Sequence, residues 1–195
     1  MPRLGFDRIE ISAYGKVIVK KGDYFDCSGL FQVTGGVFYT FSEDSNVVLT
    51  LPESSFKSLK LTSESSSVRC SGLDIENIEL SAYGKAELAS IKAGICSVFS
   101  KSGAIDVDGS SIKNGNFSAY ERVDMELSNF RSIGISSEAG QVTFTYLGNE
   151  SVNAKCRSES SSVRVFGSFK KYKDAEKTLK ISAYKRIDLI GRGQR

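Results

Sequence analysis

The chain has 195 residues, with 26 Lys and Arg against 23 Asp and Glu, and neither His nor Trp. Without His there is no Ser-His-Asp or Cys-His centre, and the usual general base and commonest metal ligand is missing. A net charge of +3 spread along the chain gives no nucleic-acid footprint, and no apolar run approaches the ~18 residues of a membrane span.

The first element reads Ile9-Glu10-Ile11, then the turn Ser12-Ala13-Tyr14, then Val17-Ile18-Val19. Apolar-polar-apolar alternation predicts strands with one buried face, joined by a polar turn. The next stretch, Gly22 to Thr40, contains Cys27-Ser28-Gly29 and Gly35-Gly36. It predicts an extra hairpin covering the N-terminal edge, since an open edge invites pairing with other chains. The apolar outward positions Ile18 and Val48 suit such a cap. Pro52 closes the strand Val47-Val48-Leu49-Thr50-Leu51.

From there the pattern repeats. Ser-Ala-Tyr recurs at Ser81, Ser118 and Ser182, and Ser-Glu-Ser-Ser-Ser-Val-Arg occurs at Ser63–Arg69 and Ser158–Arg164. Aligning weaker copies gives a first apolar column of Ile11, Phe41, Leu61, Leu80, Phe99, Phe117, Ile135, Cys156 and Ile181. The intervals between them are 30, 20, 19, 19, 18, 18, 21 and 25 residues. After the turn a second column runs from Val17 to Ile187 and a third from Val19 to Leu189. A short strand-turn-strand unit cannot bury its apolar face alone, whereas a stack of such units can. The prediction is an all-β, right-handed parallel β-solenoid of about nine short coils with the N-terminal hairpin as cap. The competing architecture is a β-sandwich, which has regular turns but does not repeat specific turn phrases. The solenoid is a single domain: irregular capping coils over 1–50, regular coils over 51–167, and a charged insertion with the last coil over 168–195. Gly15, Gly84, Gly103 and Gly140 fall at the turns, where positive φ is expected.

Four cysteines stand at 27, 70, 96 and 156 without a C-x-x-C pair. Cys70 and Cys156 fall in buried columns of distant coils, which predicts free thiols and a reducing compartment. The beginning of the chain carries no apolar leader. On the given sequence the location is cytoplasmic. The basic clusters Lys170-Lys171-Tyr172-Lys173 and Arg192–Arg195 read as a solvated loop and a frayed tail.

Three surface patterns remain. Ser12, Ser42, Thr62, Ser81, Ser100, Ser118, Ser136 and Ser182 predict a hydroxyl ladder up one edge, structural because no base accompanies it. Tyr14, Tyr83, Tyr120 and Tyr184 share one turn position, where exposed aromatics bind a glycan or protein partner or else pack flat over the turn. Glu87, Asp106 and Asp124 share one outward position in consecutive coils, with Asp108 and Glu126 nearby. Like charges one strand apart repel unless compensated. A calcium ion would compensate them, and so would a basic partner or Lys85 and Arg122 on the same face. No other cofactor is expected. Paired carboxylates raise glycoside hydrolysis as a reading, but the short coils build no cleft around them.

The phrase Val47-Val48-Leu49-Thr50-Leu51-Pro52, followed by Phe56-Lys57-Ser58-Leu59-Lys60-Leu61 and the succession of short turns, resembles bacterial adhesin-type families of unknown function, including the head-GIN auto-transporter-adhesin-like group. The resemblance covers about Phe6 to Ile190. It implies a β-solenoid, a bacterial source and a cell-envelope or adhesive role, with no catalytic residues. An envelope location would follow if an N-terminal anchor had been removed. The functional expectation is a non-enzymatic interaction module. Alternatives are an intracellular self-assembling scaffold and a cation- or polysaccharide-binding protein using the acidic face.

Overall fold

The structure is a computed structural model that describes residues 4–52, 55–167, 169 and 172–191. Lys170, Lys171 and Arg192 to Arg195, parts of the two basic clusters, lie outside the described residues.

Within these residues the chain is all strand and turn. The first half forms β1 (Arg8–Ala13), β2 (Val17–Lys21), β3 (Asp26–Cys27), β4 (Phe31–Thr34), β5 (Val37–Ser42), β6 (Val47–Leu51), β7 (Ser55–Ser63), β8 (Val68–Ser71) and β9 (Asp74–Ala82). The second half forms β10 (Ala86–Ala89), β11 (Lys92–Ser100), β12 (Ile105–Ala119), β13 (Val123–Ser137), β14 (Val142–Tyr146), β15 (Val152–Ser158), β16 (Val163–Gly167), β17 (Lys177–Ala183) and β18 (Ile187–Gly191). All join one sheet that winds into a solenoid-like stack. Parallel pairing between layers supplies the backbone hydrogen bonds, and the inward columns make one continuous apolar core.

The connector after the second strand is itself ordered. Asp74 and Ile75 pair with Ser55 and Phe56 on one side and with Lys92 and Ala93 on the other. The alternation slips where Glu76-Asn77 and Arg131-Ser132 both face outward. Two outward residues in succession turn a corner, so the middle coils carry a third, shorter side.

The layers do not follow chain order. On the broad side β1 lies between β5 and β7, not beside β5 alone. The stack continues through β9, β11, β12 and β13, and β13 then pairs with β17, which pairs with β15. The second side repeats this order, with β2 between β6 and β8 and β18 between β14 and β16. The first and last units of the chain are therefore each tucked one layer inside the end of the stack. At the N-terminal end, β4 and β3 add antiparallel to β5 and β6 and form the expected cover. Phe6, Phe25, Phe31, Phe38 and Phe56 pack together beneath it.

The turns explain the order. In the column that closes the broad side, the stack reads Ser42, Ala13, Ser63, Ala82, Ser100, Ala119, Ser137, Ala183, Ser158. Serine and alanine alternate without a break. Alanine layers carry three turn residues before the next strand, as in Tyr14-Gly15-Lys16, and serine layers carry four, as in Glu64-Ser65-Ser66-Ser67. Each longer turn folds back on its own serine: Ser66, Gly103, Gly140 and Ser161 donate backbone N–H to Ser63, Ser100, Ser137 and Ser158. The serine hydroxyl then donates to a carbonyl of the adjoining alanine turn, at Gly15, Gly84, Glu121 and Lys185 respectively. All four point toward the N-terminal end of the stack. Two serine turns in contact would lack this match, yet β5–β6 and β7–β8 are both serine units in chain order, as are β13–β14 and β15–β16. Inserting the alanine unit of each terminus between them restores the alternation.

Several sequence expectations are corrected by this register. Phe41 and Phe99 do not belong to the inner column; Ile11 pairs with Thr40, and Leu80 with Val98. Phe41 is 60% exposed and Thr40 6%. A one-residue slip sends a side chain to the other face. Ser42 and Ser100 accordingly leave the outward hydroxyl ladder for the inward column. Cys70 is buried, but Cys156 is half-buried because its layer ends the stack. Cys27, Cys70 and Cys96 are free thiols. Gly15, Gly84, Gly103 and Gly140 do not take positive φ; that conformation falls at Gly35, Gly36, Gly72, Gly109 and Gly167. At Gly103 and Gly140 the need is close approach, since a Cβ would lie 2.6 Å from the Gly84 carbonyl carbon and 2.4 Å from that of Glu121.

Candidate functional site

The two-layer period decides where the conspicuous residues sit. Tyr14, Tyr83, Tyr120 and Tyr184 follow the alanine column, so they recur at every second layer of the stack. Their spacing is about 9.6 Å, twice the interstrand distance. In chain order their coils look scattered; in space they form an evenly spaced row along one edge, each ring 44–55% exposed. Lys101 Nζ lies 5.5 Å from the Tyr83 ring centroid, so one face of that ring contacts a cation from the next layer.

The acidic column is assembled as the register implies. Glu87 pairs with Asp106 and Asp106 with Asp124. Cations fill the spaces between them. Lys85 Nζ lies 2.5 Å from both Glu87 and Asp106, and Arg122 reaches Asp124 at 2.9 Å and Asp106 at 3.3 Å. The Asp106 and Glu87 hydrogen bonds hold the Lys85 ammonium above its usual range. Among the described residues no group of three or more metal-ligating side chains is assembled. Lys85 occupies the place a metal ion between Glu87 and Asp106 would take. These pairs are partly exposed and modest in energy, but they cancel the like-charge repulsion along the column.

The same column continues to a residue the sequence did not associate with it. Asp124 pairs with Thr143, and Thr143 with Asp188, because β18 inserts beside β14. Arg186 donates to Asp188 Oδ2 at 2.8 Å, whereas the buried Oδ1 has no hydrogen-bond partner among the described residues. Chain-order alignment put Arg164 there.

A second feature absent from the sequence reading is a trough on the outward face of the broad side. It has a volume of about 770 Å³ and runs from Glu79 and Ser81 past Phe99 and across Ser118, Ser136 and Ser182 to Arg157. Ser136 Oγ donates to Ser118 Oγ at 3.0 Å. Alongside lie Asn116, Gly134, Lys180 and Lys155. Gly134 keeps the floor of the trough open, since a Cβ there would meet Asn116 Oδ1 at 2.7 Å. The outward serines were legible as a ladder; that it runs on from β13 into Lys180 was not, because β17 meets β13 only through the inserted unit.

The chain can be compared with known proteins on this basis. Among solved structures it is similar to a "putative adhesin" from Bacteroides fragilis NCTC 9343, at 14% identity with a TM-score of 0.58, over 95% of this chain and 92% of that one. That likeness shows the fold. It is also similar to a "putative cell adhesion protein" from Clostridium sporogenes ATCC 15579, at 10% identity with a TM-score of 0.39, over 96% of this chain and 94% of that one. No curated protein matches it. The family model described as Toastrack DUF4097 matches residues 28–131, more than half of the chain, and the chain therefore belongs to the Toastrack DUF4097 family.

Proposed function

We propose that the chain is a non-enzymatic binding module of the bacterial cell envelope, which uses one edge of a rigid β-solenoid to hold a glycan or protein partner. The observation that carries this reading is the even row of Tyr14, Tyr83, Tyr120 and Tyr184. A stack tied together by interlayer hydrogen bonds presents exposed aromatic rings at a fixed period, so the cost of ordering a binding surface is already met by folding. The name of the Bacteroides fragilis neighbour supports an adhesive role. We take the winding to be right-handed with about nine coils, in line with the general preference of parallel crossovers.

The test is a glycan array probed with the purified chain and with a Tyr83→Ala/Tyr120→Ala variant. The expected result is a defined set of bound glycans whose signal the variant loses while its melting temperature holds. Binding that persists unchanged in the variant would remove the tyrosine edge from the reading. A calcium titration followed by melting tests the acidic column: no shift at millimolar calcium fits Lys85 and Arg122 as its compensating charges, and a rise of several degrees would return a metal ion to the site.

A second reading, end-to-end assembly, is favoured by the terminal layer, where Val163, Val165 and Phe166 are exposed. Size-exclusion across a concentration series checks it, and a constant monomer removes it.

A further inference from the structure

We propose that the trough on the broad side is a binding site for an acidic polysaccharide, with uronic-acid carboxylates held by Lys155, Arg157 and Lys180. It deepens the binding-module reading and rests on it, but uses a different surface from the tyrosine edge.

The first observation is an uncompensated charge cluster. Lys155 and Lys180 are direct cross-strand partners, and Arg157 faces outward two residues along from Lys155, in register with Ser182. Like charges in this position destabilise a sheet. Several other stacked charges are neutralised: Lys60 by Glu79, Arg69 by Glu87, Arg122 by Asp106 and Asp124. Among the described residues no carboxylate lies within ion-pair distance of Lys155, Arg157 or Lys180. Two ammoniums and a guanidinium within two adjacent strands make a site for carboxylates, with the arginine able to bind one in bidentate fashion.

The second observation is the surface leading to that cluster. Phe99 stands one layer in from the far end, 47% exposed, and the carboxylate at that end, Glu79, lies beside Lys60. Three layers of serine hydroxyls follow, flanked by the Asn116 amide and the bare backbone of Gly134. From Phe99 to Arg157 is four interstrand steps, about 19 Å. Hydroxyls and amides that both donate and accept match ring hydroxyls, and an exposed ring face suits the apolar face of a sugar. A chain of several sugars fits this length, its acidic groups at the cationic end.

The same features disfavour other polyanions. Within the trough an acidic peptide cannot add as a strand, because β12, β13 and β17 are already paired on both sides; only β15, the last layer, has an open edge, and a strand added there would lie beside the trough and not along it. The floor also lacks separate apolar pockets for side chains. Three cations would neutralise few phosphates, and a single aromatic ring is not a stacking platform for successive bases.

The test is calorimetric titration of the full chain with a hexamer of galacturonic acid. Its methyl-esterified form, a hexaglutamate peptide and a single-stranded oligonucleotide serve as comparators. The acidic hexamer should bind, weaken with salt, and bind at least about tenfold more tightly than the ester, which keeps the hydroxyls and loses the charges. Lys155→Gln/Lys180→Gln should lose about tenfold or more in affinity without losing thermal stability, since it relieves repulsion. Phe99→Ala should weaken acid and ester alike. Equal affinity for acid and ester, an unchanged double variant, no binding of the hexamer, or tighter binding of the peptide or oligonucleotide would each overturn the proposal. Tyr83→Ala/Tyr120→Ala separates the two readings: it should leave the acidic hexamer bound, whatever it does on the glycan array.

Discussion

Ser100→Ala removes one hydroxyl and with it one hydrogen bond between layers and one within its own turn. Ser100 is 1% exposed, and its Oγ donates to the Gly84 carbonyl at 2.7 Å while accepting from Gly103 N–H at 3.1 Å. The alanine methyl fits, because the neighbouring layers already carry Ala82 and Ala119 in the same column. The loss is therefore one of hydrogen bonding and not of packing. A part-buried donor and a part-buried acceptor are left with weakened or missing partners, and each such loss costs about 1–3 kcal/mol when burial is complete. Water has some access at the turn, so the low end of the summed range applies, about 2–3 kcal/mol. Urea unfolding followed by circular dichroism should show a lower midpoint with an unchanged slope. Ser160→Ala is the matched control. Its hydroxyl donates to Tyr184 O at 2.6 Å on the exposed rim, where water replaces it, and the expected loss is under about 0.5 kcal/mol. If Ser100→Ala is as mild as Ser160→Ala, the serine turns do not lock adjacent layers and the alternation has no energetic basis.

The permuted layer order is tested by cross-linking. Ser12→Cys with Thr62→Cys, direct partners across β1 and β7, should form a disulfide under mild oxidation. Phe41→Cys with Thr62→Cys should not, because two interstrand steps of about 4.8 Å exceed the span a disulfide bridges; the reverse outcome would restore chain-order stacking. Ser90 takes a φ of 54° at the corner where the layers on either side use Gly72 and Gly109. Ser90→Gly should raise stability by up to about 1 kcal/mol through relief of left-handed strain, read as a higher melting temperature; a decrease would show that the conformation costs nothing. Burial pushes the Cys96 thiol up to about 12 and raises that of Cys70 as well, from an ordinary value of 9.0. Both are raised in the folded state, so their contribution is complete below the unfolded value and fades as pH climbs from there through the folded one. Melting temperature should fall between about pH 9 and pH 11, and Cys96→Ala should flatten that fall; an unaltered profile would assign the alkaline loss to other groups.

The linear pattern of residues dictates the kind of structure. Period-two alternation, repeated turn phrases and intervals near 19 residues left one economical way to bury Leu61, Leu80 and Phe117, namely by stacking. It also placed Glu87, Asp106 and Asp124 in one column and offered Lys85 and Arg122, beside a calcium ion or a basic partner, as their compensating charges. It even held the signal for the layer order. Units ending in Ser and Ala alternate everywhere except where two serine units adjoin, at Ser42 with Ser63 and at Ser137 with Ser158. Those are the two places where a terminal unit inserts. Only the tertiary structure decided that this signal prevails over chain adjacency. Backbone pairing between parallel layers is nearly indifferent to which layers meet, so the choice falls to the serine hydroxyl, which needs an alanine turn's carbonyl beside it. That choice brought Tyr14, Tyr83, Tyr120 and Tyr184 into one row, joined Asp188 to the acidic column, and set Lys180 against Gly134. The one-residue errors at Phe41 and Phe99 have the same origin. A bulky apolar residue beside a buried position looks like core in a linear pattern, and only the register with Ile11 and Leu80 shows it facing water.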